Sequence, residues 1–294
     1  MKSGFIGVVG RPNVGKSTLI NSIVGRKVAI TSSKPGTTRN IIQGIYNDEE
    51  SQMVFVDTPG IHKPKHKLGD YLNKQAYYSI KDVDVILFLV DASVDLGRGD
   101  NFILEKLKEV DTPVVLVINK VDKITHKEIL EKIVEYKDLY EFSEIVPLSA
   151  TKDDNIDALI KTLKNYISDP YKYYGDNDIT NRPMSFLISE IVREKVFYKT
   201  GEEVPHSITC VTENVEKKKT AYNIEVSIIV DRESLKKIVI GHKGSKIKEI
   251  GTLAREELEV LLDSRVYLEL KVKTVKKWRD KESHLSDLGF REFD

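Results

Sequence analysis

The sequence predicts a doubly wound α/β domain followed by a smaller α+β module, and three observations carry that prediction. Gly10-Arg11-Pro12-Asn13-Val14-Gly15-Lys16-Ser17 matches the phosphate-loop pattern G-x-x-x-x-G-K-[ST], between an apolar run at 5–9 and a helix-patterned run at 18–24. Strand-like and helix-like runs then alternate as far as residue 167, the rhythm of a parallel sheet with crossover helices. Beyond residue 182 the order becomes α-β-β-α-α-β, with Ile224, Val226, Ile228 and Val230 alternating along one strand.

At 294 residues the chain is long enough for two domains, each able to bury a core. Lys and Arg number 46 and Asp and Glu 46, so overall charge points to no polyanion and any nucleic-acid surface has to arise from local clustering. The single cysteine, Cys210, excludes an internal disulfide and a cysteine metal cluster, fits a reducing compartment, and reads as a buried filler. No apolar run has the length of a membrane span, and the phosphate loop begins too close to Met1 for a signal peptide to precede it. A soluble, cytoplasmic protein is the expectation.

In a loop of the Gly10–Ser17 type, backbone N–H groups point inward and the following helix adds partial positive charge, so a polyphosphate fits among Gly10, Arg11, Pro12, Asn13, Val14, Gly15 and the first helical residues Lys16, Ser17 and Thr18. Lys16 should reach the β- and γ-phosphates, with the Ser17 hydroxyl on Mg²⁺. Residues 31–39 are polar and breaker-rich and read as a loop. Runs at 41–46 and 52–56, joined by the acidic turn 47–50, suggest an antiparallel strand pair that ends in Asp57-Thr58-Pro59-Gly60. An acidic residue closing a buried strand beside a phosphate loop suits Mg²⁺, and the Gly60 N–H can sense a γ-phosphate.

The run 113–118 leads into Asn119-Lys120-Val121-Asp122. The carboxylate of Asp122 can accept from N1–H and the 2-amino group of guanine, the Lys120 stem can pack on the ring, and Asn119 can tie the loops together. Adenine offers neither donor, and a buried carboxylate left unpaired makes its rejection worth about 10⁴–10⁵-fold. After the strand at 145–148, the backbone N–H groups of Ser149, Ala150 and Thr151 are placed to meet guanine O6. Each piece closes a predicted strand, the edge at which open α/β sheets bind nucleotides. Helical runs near 67–80, 100–109, 126–138 and 155–167 complete a sheet of about six strands.

Gly10 to Ser17, Thr37-Thr38, Asp57 to Gly60, Asn119 to Asp122 and Ser149-Ala150 together resemble the five signature motifs of translation-factor-type GTPases. That resemblance implies that GTP and GDP bind with Mg²⁺ held by Ser17, Thr38 and Asp57, with Thr38 rather than Thr37 as the switch threonine. It implies switches at 31–39 and from Asp57 through the basic Lys63, Lys65 and Lys67, and catalytic work by Lys16, Thr38 and the Gly60 N–H. In Ras-like relatives a glutamine after D-x-x-G orients the attacking water; Ile61 stands there and cannot, which predicts unassisted turnover of roughly 10⁻³ s⁻¹ or below. Resemblance to GTPases with an asparagine in the phosphate loop implies that Asn13 helps bind K⁺ and so aids catalysis. His62 and His66 are four apart, but Pro64 between them argues against one helix face and a metal pair.

Composition places a first domain at 1–170, a polar, breaker-rich linker at 171–182 and a second domain with its tail at 183–294. In the second domain Phe186, Leu187, Ile191 and Val192 lie at helical spacing, a strand follows near 207–215, and Glu225 and Ser227 oppose the apolar side of the next. The last strand sets Val266, Leu268, Leu270 and Val272 inward against Tyr267, Glu269, Lys271 and Lys273. Gly241-His242-Lys243-Gly244, between two helices, resembles the GXXG loop of KH domains, whose backbone clamps single-stranded RNA. Arg232, Lys236, Lys237, Lys243, Lys246 and Lys248 gather about it, which favours an RNA surface. The basic residues Lys271, Lys273, Lys276, Lys277, Arg279 and Lys281 either extend that surface or form a solvated strand and helix start. Trp278 is either a base-stacking platform or a packing anchor.

A GTPase domain, a short linker, this module and the ending through Asp287-Leu288-Gly289-Phe290 resemble the Era family over essentially the whole chain. The resemblance implies a cytoplasmic, monomeric GTPase switch that binds the 3′ end of 16S ribosomal RNA, assists maturation of the 30S subunit, and associates peripherally with the inner membrane. Two other readings stay open on the residues: an RNA-binding scaffold with structural, scarcely hydrolysed GTP, which Ile61 permits, and a membrane-surface GTPase using its basic segments.

Overall fold

A computed structural model of the chain describes residues 1–31, 41–58, 67–69, 71–72, 74, 82–201, 204 and 207–288. Thr37, Thr38, Pro59, Gly60, Ile61, His62, Lys63, Lys65 and His66 lie outside the described residues. The chain forms two compact units, the first made mainly of residues up to Asn181 and the second mainly of residues from Arg182 on. No helix among the described residues is long and apolar enough to cross a membrane.

The first unit is built on β1 (Lys2–Gly10), α1 (Lys16–Val24), β2 (Ile42–Asn47), β3 (Ser51–Asp57), β4 (Val85–Asp91), α2 (Arg98–Leu107), β5 (Val114–Asn119), α3 (His126–Lys137), β6 (Glu144–Pro147) and α4 (Ile156–Leu163). Its six strands lie in the order β2-β3-β1-β4-β5-β6, parallel except for β2, which pairs antiparallel with β3. Period-two alternation sends side chains to two cores. From β4, Val85, Leu87 and Leu89 join Ile6, Leu19, Ile20 and Leu159 on one face, while Ile86, Phe88 and Val90 join Ile103, Leu104 and Tyr136 on the other. A strand buried on both faces reads as an unbroken apolar run, as 85–90 does.

The parallel register brings the ends of these strands to one edge. Val8 lies beside Asp57, Gly10 beside Leu89, Asp91 beside Asn119 and Ile118 beside Pro147, so five strands far apart in sequence bring their ends together.

Residues 171–181, assigned to a linker on composition, cluster with the first unit and are tied to its sheet. The buried Gln52 accepts from the Tyr173 and Tyr174 N–H groups at 2.7 and 3.0 Å and donates to the Tyr174 carbonyl at 2.9 Å. Further on, the Ile45 N–H donates to the Ile179 carbonyl at 2.9 Å, and Gly44 bridges Thr180, so the segment shields part of the exposed side of β2. No periodic pattern marks these contacts, because they use a glutamine side chain and backbone rather than an apolar face.

The second unit runs α5 (Met184–Lys199), β7 (Ile208–Lys217), β8 (Ala221–Val230), α6 (Glu233–Ile240), α7 (Ser245–Leu262) and β9 (Arg265–Thr274), the predicted α-β-β-α-α-β order, closed by α8 (Glu282–Asp287). Its sheet has the order β7-β8-β9, antiparallel then parallel. Ile224, Val226, Ile228 and Val230 are buried with Val192, Leu235, Ile250 and Leu258 in one core, which also takes Cys210. Ser227, on the side of β8 opposite those residues, is fully buried as well, between the neighbouring strands β7 and β9. Trp278 is fully buried too, its indole N–H donating to the Ser207 carbonyl at 3.2 Å, so it anchors the chain after β9 and is not a base platform.

Candidate nucleotide site and nucleic-acid interface

The phosphate loop leaves β1 at Gly10 and enters α1 at Lys16. Gly15 sits at φ 104°, and a Cβ there would come within 2.2 Å of Asn119 Nδ2, so both backbone and space require glycine. Lys16 is buried and turned onto the loop's own carbonyls, its ammonium donating to Gly10 O at 3.0 Å and Arg11 O at 3.1 Å. Burial lowers its pKa from 10.5 to about 8, against the pull of Asp57. An amine so placed gains from any phosphate oxygen brought to it.

Asp57 closes β3 without exposure, and the Ser17 hydroxyl donates to its Oδ2 at 2.7 Å. The two predicted Mg²⁺ residues are thus brought together, and hard oxygen donors of this kind fit Mg²⁺, which takes one or two protein ligands and completes its shell with phosphate and water. Among the described residues no three His, Cys, Asp or Glu gather into a metal cluster. Thr58 does different work: its hydroxyl donates to the Val8 carbonyl at 2.8 Å, fastening β3 to β1 behind the site.

Asn119 ties the loops as expected. Its Nδ2 donates to Val14 O at 2.8 Å, and its Oδ1 accepts from the Lys120 and Ala150 N–H groups at 2.8 and 3.1 Å. Lys120 reaches Asn13 O at 2.7 Å and Asp91 Oδ2 at 2.5 Å. Burial alone would raise the Asp91 carboxyl, but hydrogen bonds from Lys120 and Ser93 hold it below the usual carboxylate range. Ser149 Oγ donates to Asp122 Oδ1 at 2.6 Å, orienting the carboxylate.

Two details differ from the sequence reading. Asp122 is exposed rather than buried, so a purine seated on it has to supply the desolvation that makes a mismatch costly. The Ser149 N–H is used by the Asp154 carbonyl at 3.2 Å and the Ala150 N–H by Asn119, so in this arrangement neither turns to a base; the loop is closed by its own bonds. Asp91 was missed altogether. Its signal was available, since an aspartate closing the apolar run 85–90 occupies the same kind of position as Asp57.

In the second unit Gly241 stands at φ 74°, and a Cβ there would meet Lys246 Cβ at 2.7 Å and its backbone N at 2.9 Å. His242 to Gly244 form one 3-10 turn that feeds α7, with Lys243 also left-handed at φ 49°. Arg232, Lys237, His242, Lys243 and Lys248 are exposed, and Lys236 and Lys246 are half-buried. No described carboxylate forms an ion pair with Lys236, Lys237, Lys243, Lys246 or Lys248, whereas Lys271 is paired with Glu225 at 2.8 Å and Lys273 with Glu213 at 2.8 Å. The loop, not the strand, therefore presents uncompensated positive charge, and of the two readings of the basic strand the solvated one fits Lys271 and Lys273.

Comparison with known proteins agrees with this geometry. A family model described as 50S ribosome-binding GTPase matches residues 5–120, and a KH domain model matches residues 203–279. A crystal structure of Aquifex aeolicus Era bound to GDP·AlF4⁻ is 43% identical over 99% of this chain and 100% of that one, with a TM-score of 0.96. A crystal structure of Era in complex with MgGDPNP and nucleotides 1506–1542 of 16S ribosomal RNA is 42% identical over the same shares, also at 0.96. With that identity along its whole length, and with both the nucleotide edge and the GXXG module in place, the chain belongs to the Era family of GTPases.

Proposed function

We propose that this GTPase couples GTP binding to the grip of its second unit on the 3′ end of 16S ribosomal RNA, acting on the maturing 30S subunit as a cytoplasmic monomer. The observation that carries the reading is the presence on one chain of a guanine-type edge, Asn119 to Asp122 beside Lys16, and an unpaired basic GXXG turn, at 42% identity to an Era seen with a GTP analogue and 16S ribosomal RNA together.

The Lys16 ammonium has three N–H donors and spends two on the Gly10 and Arg11 carbonyls, so the third is left for a phosphate oxygen, and the loop N–H groups at the start of α1 hold the same phosphate. Asp122 accepts from guanine, Ser149 keeping it in plane. Ser17 and Asp57 are the residues that would hold Mg²⁺, which would neutralise phosphate charge there, with Thr38 and the Gly60 N–H assigned to the γ-phosphate by their motif positions. Asn13, exposed and left-handed at φ 66°, suits a K⁺ ligand beside the phosphates. Ile61 supplies no water-orienting group, so turnover is slow until a partner or ion completes the site.

The test is RNA affinity for a 16S 3′-end fragment, measured with a GTP analogue and with GDP. Coupling predicts tighter binding in one state; equal affinities would leave two independent modules. Turnover in the same samples, compared in K⁺ and Na⁺ at equal ionic strength, tests Asn13, and equal rates remove it from catalysis.

A further inference from the structure

The phosphate loop is pinned from several sides, and one of the pins lies outside every motif considered above. Its back half is held by the guanine edge, Lys120 on the Asn13 carbonyl and Asn119 on the Val14 carbonyl. Its front half is held through the side chain of Arg11, whose Nη1 lies 3.2 Å from Asp100 Oδ2. Asp100 is only 2% exposed, stands in the first turn of α2, and accepts the Gly97 N–H at 2.9 Å with the same oxygen. Burial pushes its carboxyl up, and the Arg11 charge works against that rise.

The arginine stem occupies a slot that side chains at Gly97 and Gly99 would crowd, forcing the stem to shift. A Cβ at Gly97 would lie 2.4 Å from Arg11 Nη1, and one at Gly99 would lie 2.7 Å from Arg11 Cδ. The Arg11 peptide carbonyl is in turn one of the two acceptors that hold the Lys16 ammonium. Side chain, peptide plane and Lys16 therefore form one mechanical series.

We propose that Arg11 and Asp100 are a positioning pair for the phosphate site: the ion pair, seated in the Gly97–Gly99 slot, fixes the front of the loop and so the aim of Lys16 at the phosphates. Neither residue is a catalytic group, since each acts through Lys16. Asp100 and the two glycines would then contribute to nucleotide affinity although they lie outside the loop.

The experiment is a double-mutant cycle read by dissociation of fluorescent GDP and GTP from the full chain, with the thermal midpoint of each variant measured alongside. Arg11→Ala and Asp100→Asn should each weaken binding by roughly tenfold, chiefly through faster dissociation, and the double variant should be no worse than Arg11→Ala alone. Gly99→Ala, which touches the loop only through the arginine stem, should reproduce part of the loss, and Arg11→Lys should recover part of it. Should Arg11→Ala fail to fold, Gly99→Ala and Asp100→Asn carry the test. Lower thermal midpoints with nucleotide affinity unchanged within twofold would make the pair merely structural and overturn the proposal, as would losses that multiply in the double variant.

Discussion

Two glycine-bearing turns that lead into helices, the phosphate loop and the GXXG turn, are built in opposite ways. In the phosphate loop the working cation, Lys16, is buried, its neighbours are tied by Asn119 and Lys120, and even the arginine beside it is seated on a buried aspartate. In the GXXG turn His242 and Lys243 are exposed and no described carboxylate pairs with Lys243, while the Gly244 N–H donates to the Gly241 carbonyl at 3.3 Å. Both lead directly into the start of a helix. A buried, pre-tied cradle selects one ligand by its full set of bonds; an exposed one attracts any phosphate chain and leaves sequence to other contacts.

The largest effect expected from this contrast is on base selection. Asp122→Asn keeps one acceptor oxygen for guanine N1–H and 2-amino and sets an N–H₂ donor where the second oxygen stood, and should weaken GTP by about 10³-fold or more with 16S-fragment binding in the absence of nucleotide unchanged. Competition binding with GTP and ATP checks it. A loss below tenfold would mean that the guanine edge is read elsewhere.

Burial also gives the first cradle a pH dependence. The folded pKa of Lys16 lies near 8, below its ordinary 10.5, so between those values the unfolded chain holds a proton that the folded chain does not, and this group's contribution to stability rises with pH through that window. Phosphate favours the charged form, so binding takes up a proton. GDP affinity should fall as pH rises above 8, by up to about tenfold per pH unit, and the slope should vanish in Lys16→Ala. A calorimetric titration series between pH 7 and pH 10 on the order of one unit apart reads both.

The smallest effects separate the lysines of the second unit. Substituting Lys237, Lys243 and Lys248 together by alanine should lower the salt slope of RNA binding by about 2, at roughly 0.7 per single-strand phosphate contact. Lys271→Ala should change affinity less than about twofold, because its charge is already spent on Glu225 and Glu269. If Lys271→Ala had the larger effect, the basic strand and not the turn would be the RNA face.

Much of the nucleotide edge was legible because phosphate binding needs particular residue types at fixed spacing: Gly15 for its backbone and Asn119 beneath it, Lys16, Asp57, Asp122. The docking of residues 171–181 on the first unit and the contacts of Asp91 and Asp100 leave no local mark in the sequence, for a common reason. Gln52 holds residues 122 positions away, Asp91 meets Lys120 across 29, and Arg11 meets Asp100 only once α2 is laid against the loop, so no local pattern announces them.

By itself, then, the sequence determined that a guanine nucleotide and a KH-type module belong to this chain, since periodicity and motif spacing are local properties of the backbone. Which charges are free to act was decided by the tertiary structure. Lys243 and Lys271 look alike in the sequence, and so do Trp278 as platform and Trp278 as anchor. Only folding sets a carboxylate beside one lysine and not the other, and closes the protein around the indole, because burial and ion pairing depend on residues that the chain brings together from a distance.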